Sequence, residues 1–276
     1  MADALKRTLF KKSTMKSSTK APVIFVSHGA PTFAIEPSRL TPMLHELGQK
    51  LSGARAVLVV SPHWQSQGVK VGTVAKPETI HDFGGFPEAL YRLQYPASGA
   101  PEIAKEVAET LTKAGWPVRI DEKRGLDHGA WVPLMHLRPE ADLPVFQVSM
   151  PHDLDAKSSY KLGQALASLR EQGIVILASG SMTHNLYEFR YGASTPDAYV
   201  IEFTDWVRDT VINHAPDKLQ DYRHLAPHAQ RAHPTDEHFL PLLIAMGAVE
   251  QDEQVEVLNG GVDHGMLSME SYSWGA

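Results

Sequence analysis

The chain has 276 residues, of which 43% are hydrophobic and 21% are charged, and its formal net charge is -6. This composition is typical of a soluble globular protein, and the acidic balance argues against a nucleic-acid partner. The absence of cysteine excludes disulfides, thiolate metal ligands and cysteine nucleophiles and is consistent with a cytoplasmic location, while no apolar run approaches the roughly 20 residues of a membrane span.

Residues 1–20 differ from the rest of the chain. They combine lysine and arginine with serine and threonine and contain no apolar segment of the kind that directs secretion. We expect a disordered basic extension here, with an organelle-targeting leader as the alternative. Residues 21–276 show no break in composition and are expected to form a single catalytic domain.

Strand and helix candidates alternate along this domain. Short β-branched, apolar runs predict strands over residues 23–27, 56–61, 69–74, 118–121, 145–149, 174–178 and 266–271. Apolar residues spaced three or four positions apart predict helices over residues 38–51, 100–114, 156–172, 197–214 and 236–246. This order is typical of the α/β class and predicts a mostly parallel central sheet with helices on both faces.

In four of the predicted strands, serine is the last residue or the one directly after it, and a histidine follows within five residues of that serine. The histidines are His28, His63, His152 and His184. In an open α/β sheet, ligands bind at the carboxyl edge of the strands, and neutral imidazole is the commonest metal-ligating side chain. Taken singly, each histidine would more often be a hydrogen-bonded structural residue, but together they predict a metal site at this edge.

A further histidine, His238, follows Thr235 and Asp236, either of which is expected to cap a helix with His238 in its first turn. An incidental histidine on a surface helix is the alternative. The sequence contains no G-x-S-x-G, dinucleotide-binding, P-loop or H-E-x-x-H motif. These absences argue against a hydrolase nucleophile elbow, a nucleotide site and a zincin protease.

Six short motifs occur in order along the chain. They are Ser27-His28-Gly29-Ala30-Pro31, Ser61-Pro62-His63-Trp64, His81-Asp82-Phe83-Gly84-Gly85-Phe86-Pro87, Asp127-His128-Gly129-Ala130-Trp131, Thr183-His184-Asn185-Leu186 and Glu237-His238-Phe239-Leu240-Pro241-Leu242. Together they resemble the motifs of the DOPA-type class III extradiol ring-cleavage dioxygenases, relatives of the catalytic subunit of protocatechuate extradiol dioxygenase. The resemblance runs from about Pro22 to the last residues.

The resemblance implies that His28, His63 and His238 bind a metal ion, with Glu237 as the alternative at the third position. It implies that His184 is an acid/base and that His128 is a second hydrogen-bonding group over the substrate and O₂. Fe(II) is the metal expected for ring cleavage, and Zn(II) would fit the same ligands but is redox-silent.

The resemblance also implies the reaction. Both atoms of O₂ would be inserted into a catechol, and the ring would open next to the diol, with L-DOPA as the best single substrate guess and a semialdehyde as the product. Phe83 and Phe86, around Gly84-Gly85, are expected to close over the aromatic ring, and Asp127 is a weaker candidate for substrate contact; ordinary loop packing is the alternative for the two phenylalanines.

Two other functions stay open at this point. One is a zinc-dependent hydrolase that uses metal-bound water, and the other is a non-enzymatic binding protein similar to the Memo-like proteins. The oligomeric state is also open, with a homo-oligomer as one alternative.

Overall fold

The computed structural model describes residues 20–36 and 38–276, so the predicted basic extension lies, apart from Lys20, outside the described residues. The strands are β1 Val23–Ser27, β2 Ala56–Ser66, β3 Val69–Gly72, β4 Val118–Asp121, β5 Val145–Pro151, β6 Ile174–Gly180, β7 Val255–Leu258, β8 Val262–Asp263, β9 Leu267–Ser268 and β10 Ser271–Trp274. The helices are α1 Leu40–Gln49, α2 Glu88–Tyr91, α3 Pro101–Lys113, α4 His128–Leu137, α5 Ala156–Leu166, α6 Ala198–Ile212, α7 Pro216–Gln220, α8 Tyr222–Leu225, α9 Ala229–Ala232 and α10 Leu240–Ala248.

Eight strands form the central sheet, in the order β4-β3-β5-β2-β6-β1-β10-β7. The four inner strands β5, β2, β6 and β1 run parallel to one another, as do β3 and β4, whereas β10 and β7 are antiparallel to their neighbours. Strand β3 meets β5 in an antiparallel contact, and β8 and β9 form a separate hairpin. The predicted α/β class with a mostly parallel sheet is confirmed.

The inner strands are buried on both faces, which explains why they read as continuous apolar runs. Alternate side chains of β1 enter two different cores: Val23 and Phe25 pack with α3, α5, α6 and α10, and Ile24 and Val26 pack with α1 and α4. The helices therefore cover both faces of the sheet, as predicted.

Helices α5 and α10 pack closely because each has a glycine at the crossing point. A Cβ added to Gly163 would lie 2.0 Å from the carbonyl oxygen of Ile244, and one added to Gly247 would lie 2.0 Å from that of Tyr160. Helix α10 is buried along its whole length, so the close crossing fixes its first residues over the end of β6.

The observed elements differ from the predicted ones at several functionally relevant places. Strand β2 continues to Ser66 instead of ending at Ser61, and α10 begins at Leu240, so His238 precedes the helix. The predicted last strand over residues 266–271 is wrong, because that stretch contains the short strand β9, two residues outside any strand and then the first residue of β10.

Helix α4, over His128–Leu137, is not among the predicted helices. It is apolar on nearly all sides and contains Pro133, so it lacks the one-sided periodicity that reveals a surface helix.

Among the helices of the described residues, none combines the length and the apolar character needed to cross a membrane.

Candidate metal centre

His28 lies at the carboxyl edge of the sheet, immediately after β1. Ser27 pairs with Gly180 at the end of β6, and the His28 backbone N–H continues the ladder by donating to the Gly180 carbonyl at 2.9 Å. Gly29 then turns the chain with a φ of +66°, a conformation that glycine adopts without strain. The turn fixes His28 at the edge and leaves its side chain only 2% exposed.

His63 lies inside β2, in a bulge rather than after the strand. The pairing of β2 with β5 shifts register between Val60 and Gln65, and such bulges bend a strand and redirect a side chain. The start of α4 approaches closely here, since a Cβ on Gly129 would lie 2.9 Å from the His63 ring. Pro62 and Gly129 thus leave room for His63 to point into the site.

His238 comes from a turn that precedes α10, not from the helix itself. The backbone N–H groups of Phe239 and Leu240 donate to the Asp236 carbonyl, and the His238 carbonyl accepts from Ser181 at 2.9 Å. A Cβ on Gly180 would lie 2.4 Å from that carbonyl. The glycine at the end of β6 therefore lets this turn lie directly over the sheet edge.

The three imidazoles converge on one point. One ring nitrogen of His28, one of His63 and one of His238 all lie within 4.8 Å of one another, and the Nε2 atoms of His28 and His63 are 3.3 Å apart. The Nε2 atom of His238 is buried and has no hydrogen-bond partner among the described residues. A buried polar atom without a partner is costly, and a shared cation would satisfy all three nitrogens.

The opposite ring nitrogens of two of these histidines have hydrogen-bond acceptors. His28 Nδ1 lies 2.9 Å from Ser179 Oγ, and His238 Nδ1 lies 3.0 Å from a carboxylate oxygen of Glu237. Such contacts fix the tautomer with the proton on Nδ1 and leave the Nε2 lone pair for a metal. Glu237 thus supports His238 from behind and does not compete with its Nε2 atom.

The tautomer of His28 can be traced back to a proline. Pro133 lies inside α4 and has no N–H to donate to the carbonyl of Gly129, four residues earlier. That carbonyl accepts the Ser179 hydroxyl instead. Because the hydroxyl proton is used there, Ser179 Oγ can only accept from His28, which places the imidazole proton on Nδ1.

Asp82 supports the site from the opposite side, and sequence reasoning missed it. Its Oδ1 accepts the backbone N–H of His128 at 2.9 Å and lies 3.0 Å from His128 Nδ1, while Oδ2 is 3.8 Å from His63 Nδ1. Hydrogen bonding to His128 lowers the pKa of Asp82 to about 2, against the opposing effect of burial. The sequence did contain a signal for Asp82, because this residue follows His81 in one of the six motifs.

The candidate ligands are neutral imidazoles. Burial, followed by the other histidines of the cluster, lowers the pKa values of His28 and His238 well below the ordinary range. Burial and His128 lower the pKa of His63 to about 4. Three lone pairs that face one another are a donor set that fits a first-row divalent metal.

Two overlapping groups could also bring three donors together, namely His63 with Asp82 and His128, and His184 with Glu237 and His238. In each, the carboxylate faces an Nδ1 atom of a neighbouring histidine. We therefore consider the all-imidazole group the better metal site.

A cavity of about 430 Å³ opens over the three imidazoles. His128 and His184 both line it. The His184 ring stacks on that of His238, with 3.5 Å between centroids and 9° between planes, and burial lowers its pKa to about 4. Phe83 and Phe86 form part of the wall with their rings edge to face, so the structure brings both predicted aromatic residues to the site.

Two residues singled out from the sequence do not lie in this cavity. His152 is exposed beyond the end of β5, and its backbone N–H donates to the Ser66 carbonyl, so β5 delivers no ligand to this site. Asp127 is completely buried and accepts hydrogen bonds from Ser61 at 2.7 Å and Gln147 at 2.9 Å. It anchors the start of α4 and is not positioned to contact a substrate, contrary to our expectation.

Comparison with protein families gives one match that covers almost the whole chain. Residues 22–273 match the family described as the catalytic LigB subunit of aromatic ring-opening dioxygenase.

Curated proteins and a solved structure resemble the chain over most of its length. It is 39% identical to a 4,5-DOPA dioxygenase extradiol from Beta vulgaris, covering 91% of this chain and 95% of that protein. It is 37% identical to the protein of that name from Escherichia coli (strain K12), covering 96% and 98%. The crystal structure of an uncharacterized Escherichia coli K12 protein matches with a TM-score of 0.77 at 32% identity, covering 92% of this chain and 99% of that one.

Proposed function

This chain belongs to the family of catalytic LigB subunits of aromatic ring-opening dioxygenases and is an extradiol ring-cleaving dioxygenase; we propose that it opens L-DOPA, using one metal ion held by His28, His63 and His238. The observation that carries the ligand assignment is the convergence of three neutral imidazoles around the unpartnered Nε2 atom of His238. Family membership favours this reading over a zinc hydrolase or a purely binding protein.

Fe(II) is the metal that we propose. It would supply a redox-active centre at which the catechol and O₂ are held side by side. Zinc fits the same ligands but cannot take part in electron transfer. Both oxygen atoms are retained in the semialdehyde product, so the overall reaction needs no external reductant.

His184 is proposed to move the catechol proton. Its ring borders the cavity beside the ligand His238, where it can accept a proton from a substrate hydroxyl and return it during ring opening. Because burial disfavours the imidazolium, a proton taken up here is readily given back. General acid–base catalysis of this kind contributes about 10²–10⁴-fold in rate.

His128 and the aromatic loop are proposed to orient the substrate and exclude water. Asp82 lies beside His128 Nδ1, which leaves Nε2 for a hydrogen bond over the metal. Phe83 lies between Phe86 and His128, with centroid distances of 5.4 and 5.7 Å. A catechol ring entering the cavity would therefore meet aromatic edges on one side and imidazoles on the other.

The choice of L-DOPA rests on the similar proteins named 4,5-DOPA dioxygenase extradiol. The test is to load the protein anaerobically with Fe(II), add L-DOPA and admit air. We expect O₂ uptake equal to the L-DOPA consumed, together with a yellow semialdehyde. The same protein loaded with zinc serves as the control and should consume no O₂.

Two results would contradict parts of this proposal. A colourless muconic diacid would mean cleavage between the hydroxyl-bearing carbons and would refute the reaction. Cleavage of other catechols but not of L-DOPA would refute only the substrate.

A further inference from the structure

The cavity over the metal centre offers no charged partner for an amino-acid side chain. Apart from its histidines, its wall consists of Gly29, Ala30, Pro31, Phe83, Phe86, Leu186, Phe189 and Leu267. L-DOPA, the substrate proposed above, carries an ammonium and a carboxylate. Leaving these charges unpaired against an apolar wall would be costly, so they need either solvent or charged partners outside this cavity.

A second cavity, of about 770 Å³, lies beside the first. We call it the side-chain cavity. Three chain segments, residues 29–33, 186–196 and 262–268, contribute to the walls of both cavities. Ala30 itself borders both, and Leu267 faces the metal side while the next residue, Ser268, faces the other. The two cavities are therefore neighbours that have these three segments in common.

The side-chain cavity has charges of both signs. Arg208 is already paired with Glu270 and Asp205. Glu36 accepts only the hydroxyl of Tyr191, at 2.7 Å, and Asp263 and Arg39 make no ion pair with any described residue. Two carboxylates and one guanidinium are thus available.

Asp263 and Arg39 lie on the same part of the wall. The guanidinium of Arg39 is 3.5 Å from the position that a Cβ on Gly261 would occupy, two residues before Asp263. Burial raises the pKa of Asp263, the charge of the adjacent His264 opposes this, and the charge of Glu36 adds to the increase. Neighbouring carboxylates that repel each other create a site that favours a cation.

From this arrangement we propose that the side-chain cavity binds the amino-acid end of the catechol substrate, with Asp263 and Glu36 facing its ammonium and Arg39 facing its carboxylate. This inference rests on the proposed function. It assigns the substrate class as a catechol whose side chain carries both charges, and it makes Asp263 and Arg39 specificity-determining residues.

The test compares two variants, Asp263→Asn and Arg39→Ala, with the wild-type protein on four catechols. These are L-DOPA, dopamine, 3-(3,4-dihydroxyphenyl)propionate and 4-methylcatechol. Dopamine keeps only the ammonium and the propionate only the carboxylate. The measurements are KM on the iron-loaded protein and Kd under anaerobic conditions on the zinc-loaded protein. Asp252→Asn is the matched control, because Asp252 is exposed and borders neither cavity.

We expect Asp263→Asn to raise KM and Kd for L-DOPA and dopamine about tenfold, the size expected for one lost charge-assisted hydrogen bond. Arg39→Ala should do the same for L-DOPA and the propionate. Neither variant should change KM or Kd for 4-methylcatechol. Asp252→Asn should change neither constant for any of the four catechols.

Equal weakening of all four catechols by both variants, or no change in either, would overturn the assignment. Absence of O₂ uptake by the wild-type protein with every catechol would instead contradict the proposed function. In that case the anaerobic Kd values still decide whether the side-chain cavity recognises the charged groups.

Discussion

Two buried polar regions of this molecule are built in opposite ways. In the histidine cluster of His28, His63 and His238, hydrogen-bond partners lie behind the rings of His28 and His238. On the facing side, His238 Nε2 has no partner among the described residues, and the Nε2 atoms of His28 and His63 contact only each other. In the network around Glu270, the Arg208 Nε–H donates a bifurcated hydrogen bond to the buried carboxylate, at 3.0 Å from each oxygen, and Arg208 Nη2 donates a further one. The Tyr272 hydroxyl donates to the same carboxylate at 2.6 Å.

The difference distinguishes a site built to bind a ligand from one that stabilises the fold. A completed network gains nothing from a further partner, whereas facing lone pairs repel until a cation lies between them. Removing a side chain from the cluster should therefore affect metal content and turnover, and removing one from the Glu270 network should affect mainly the free energy of unfolding.

The largest expected effect is the loss of a metal ligand. His28→Ala, His63→Ala and His238→Ala should each bind almost no metal and show almost no turnover, because two imidazoles cannot complete the site. Elemental analysis and O₂ uptake are the measurements. His152→Ala is the matched control, since His152 is exposed and outside the cluster, and it should keep both properties.

Full metal occupancy in His28→Ala or His63→Ala would remove those residues from the ligand set. The same result in His238→Ala would transfer the assignment to Glu237 or His184, which lie in the overlapping group.

The next effect separates a proton carrier from a ligand. His184→Ala should keep its metal but lose about 10²–10⁴-fold in kcat, because the base is removed while the ligand set stays intact. His128→Ala should show the same pattern with a smaller loss. Turnover at the wild-type rate would refute the role of His184, and loss of metal in either variant would identify that residue as a ligand.

Disrupting the Glu270 network should lower the free energy of unfolding. Glu270→Ala should lower the free energy of unfolding by about 3 kcal/mol, because it leaves Arg208 and the buried Tyr272 hydroxyl without their shared acceptor. Chemical denaturation is the measurement. Glu88→Ala, which breaks an exposed ion pair with Arg92, should cost less than about 0.5 kcal/mol. Equal costs in the two variants would contradict a structural role for the network.

The smallest effect concerns His233, a buried histidine outside the cluster. Its Nε2 lies 2.9 Å from the Met182 carbonyl, and its Nδ1 has no partner among the described residues. Burial lowers its pKa to about 3, the Met182 carbonyl and Glu237 oppose this, and His184 and Arg223 add to it. As the pH falls, His233 is therefore protonated in the unfolded chain at a higher pH than in the folded protein.

The contribution of His233 to stability should be complete above about pH 7 and decrease as the pH falls toward 3. Between pH 8 and pH 5 the loss should be about 2 kcal/mol. His233→Gln, which can still donate to Met182, should flatten the pH dependence by that amount in denaturation experiments on protein in the same metal state. An unchanged pH dependence would show that His233 does not account for it.

Much of the framework could be predicted from local sequence. The bounds of β1 and β4 were predicted correctly. For β1 the reason is local, since a short apolar run between turn residues defines a buried strand without reference to the rest of the chain, whereas β4 is a partly exposed strand at the edge of the sheet. The expected position of His28 followed from the end of β1. Helix α4 escaped prediction because Pro133 and its uniformly apolar surface hide the helical period.

Sequence alone therefore determined the α/β alternation, the strand-end position of His28 and the motifs that resemble the extradiol dioxygenases, because periodicity and motif order are local properties. Only the tertiary structure decided that β2 bulges at His63, that His152 points away, that Asp127 is buried and that Asp82 supports His128. These features depend on strand register and on contacts between residues far apart in the chain, such as the 151 positions that separate His28 from Ser179. No local pattern encodes them.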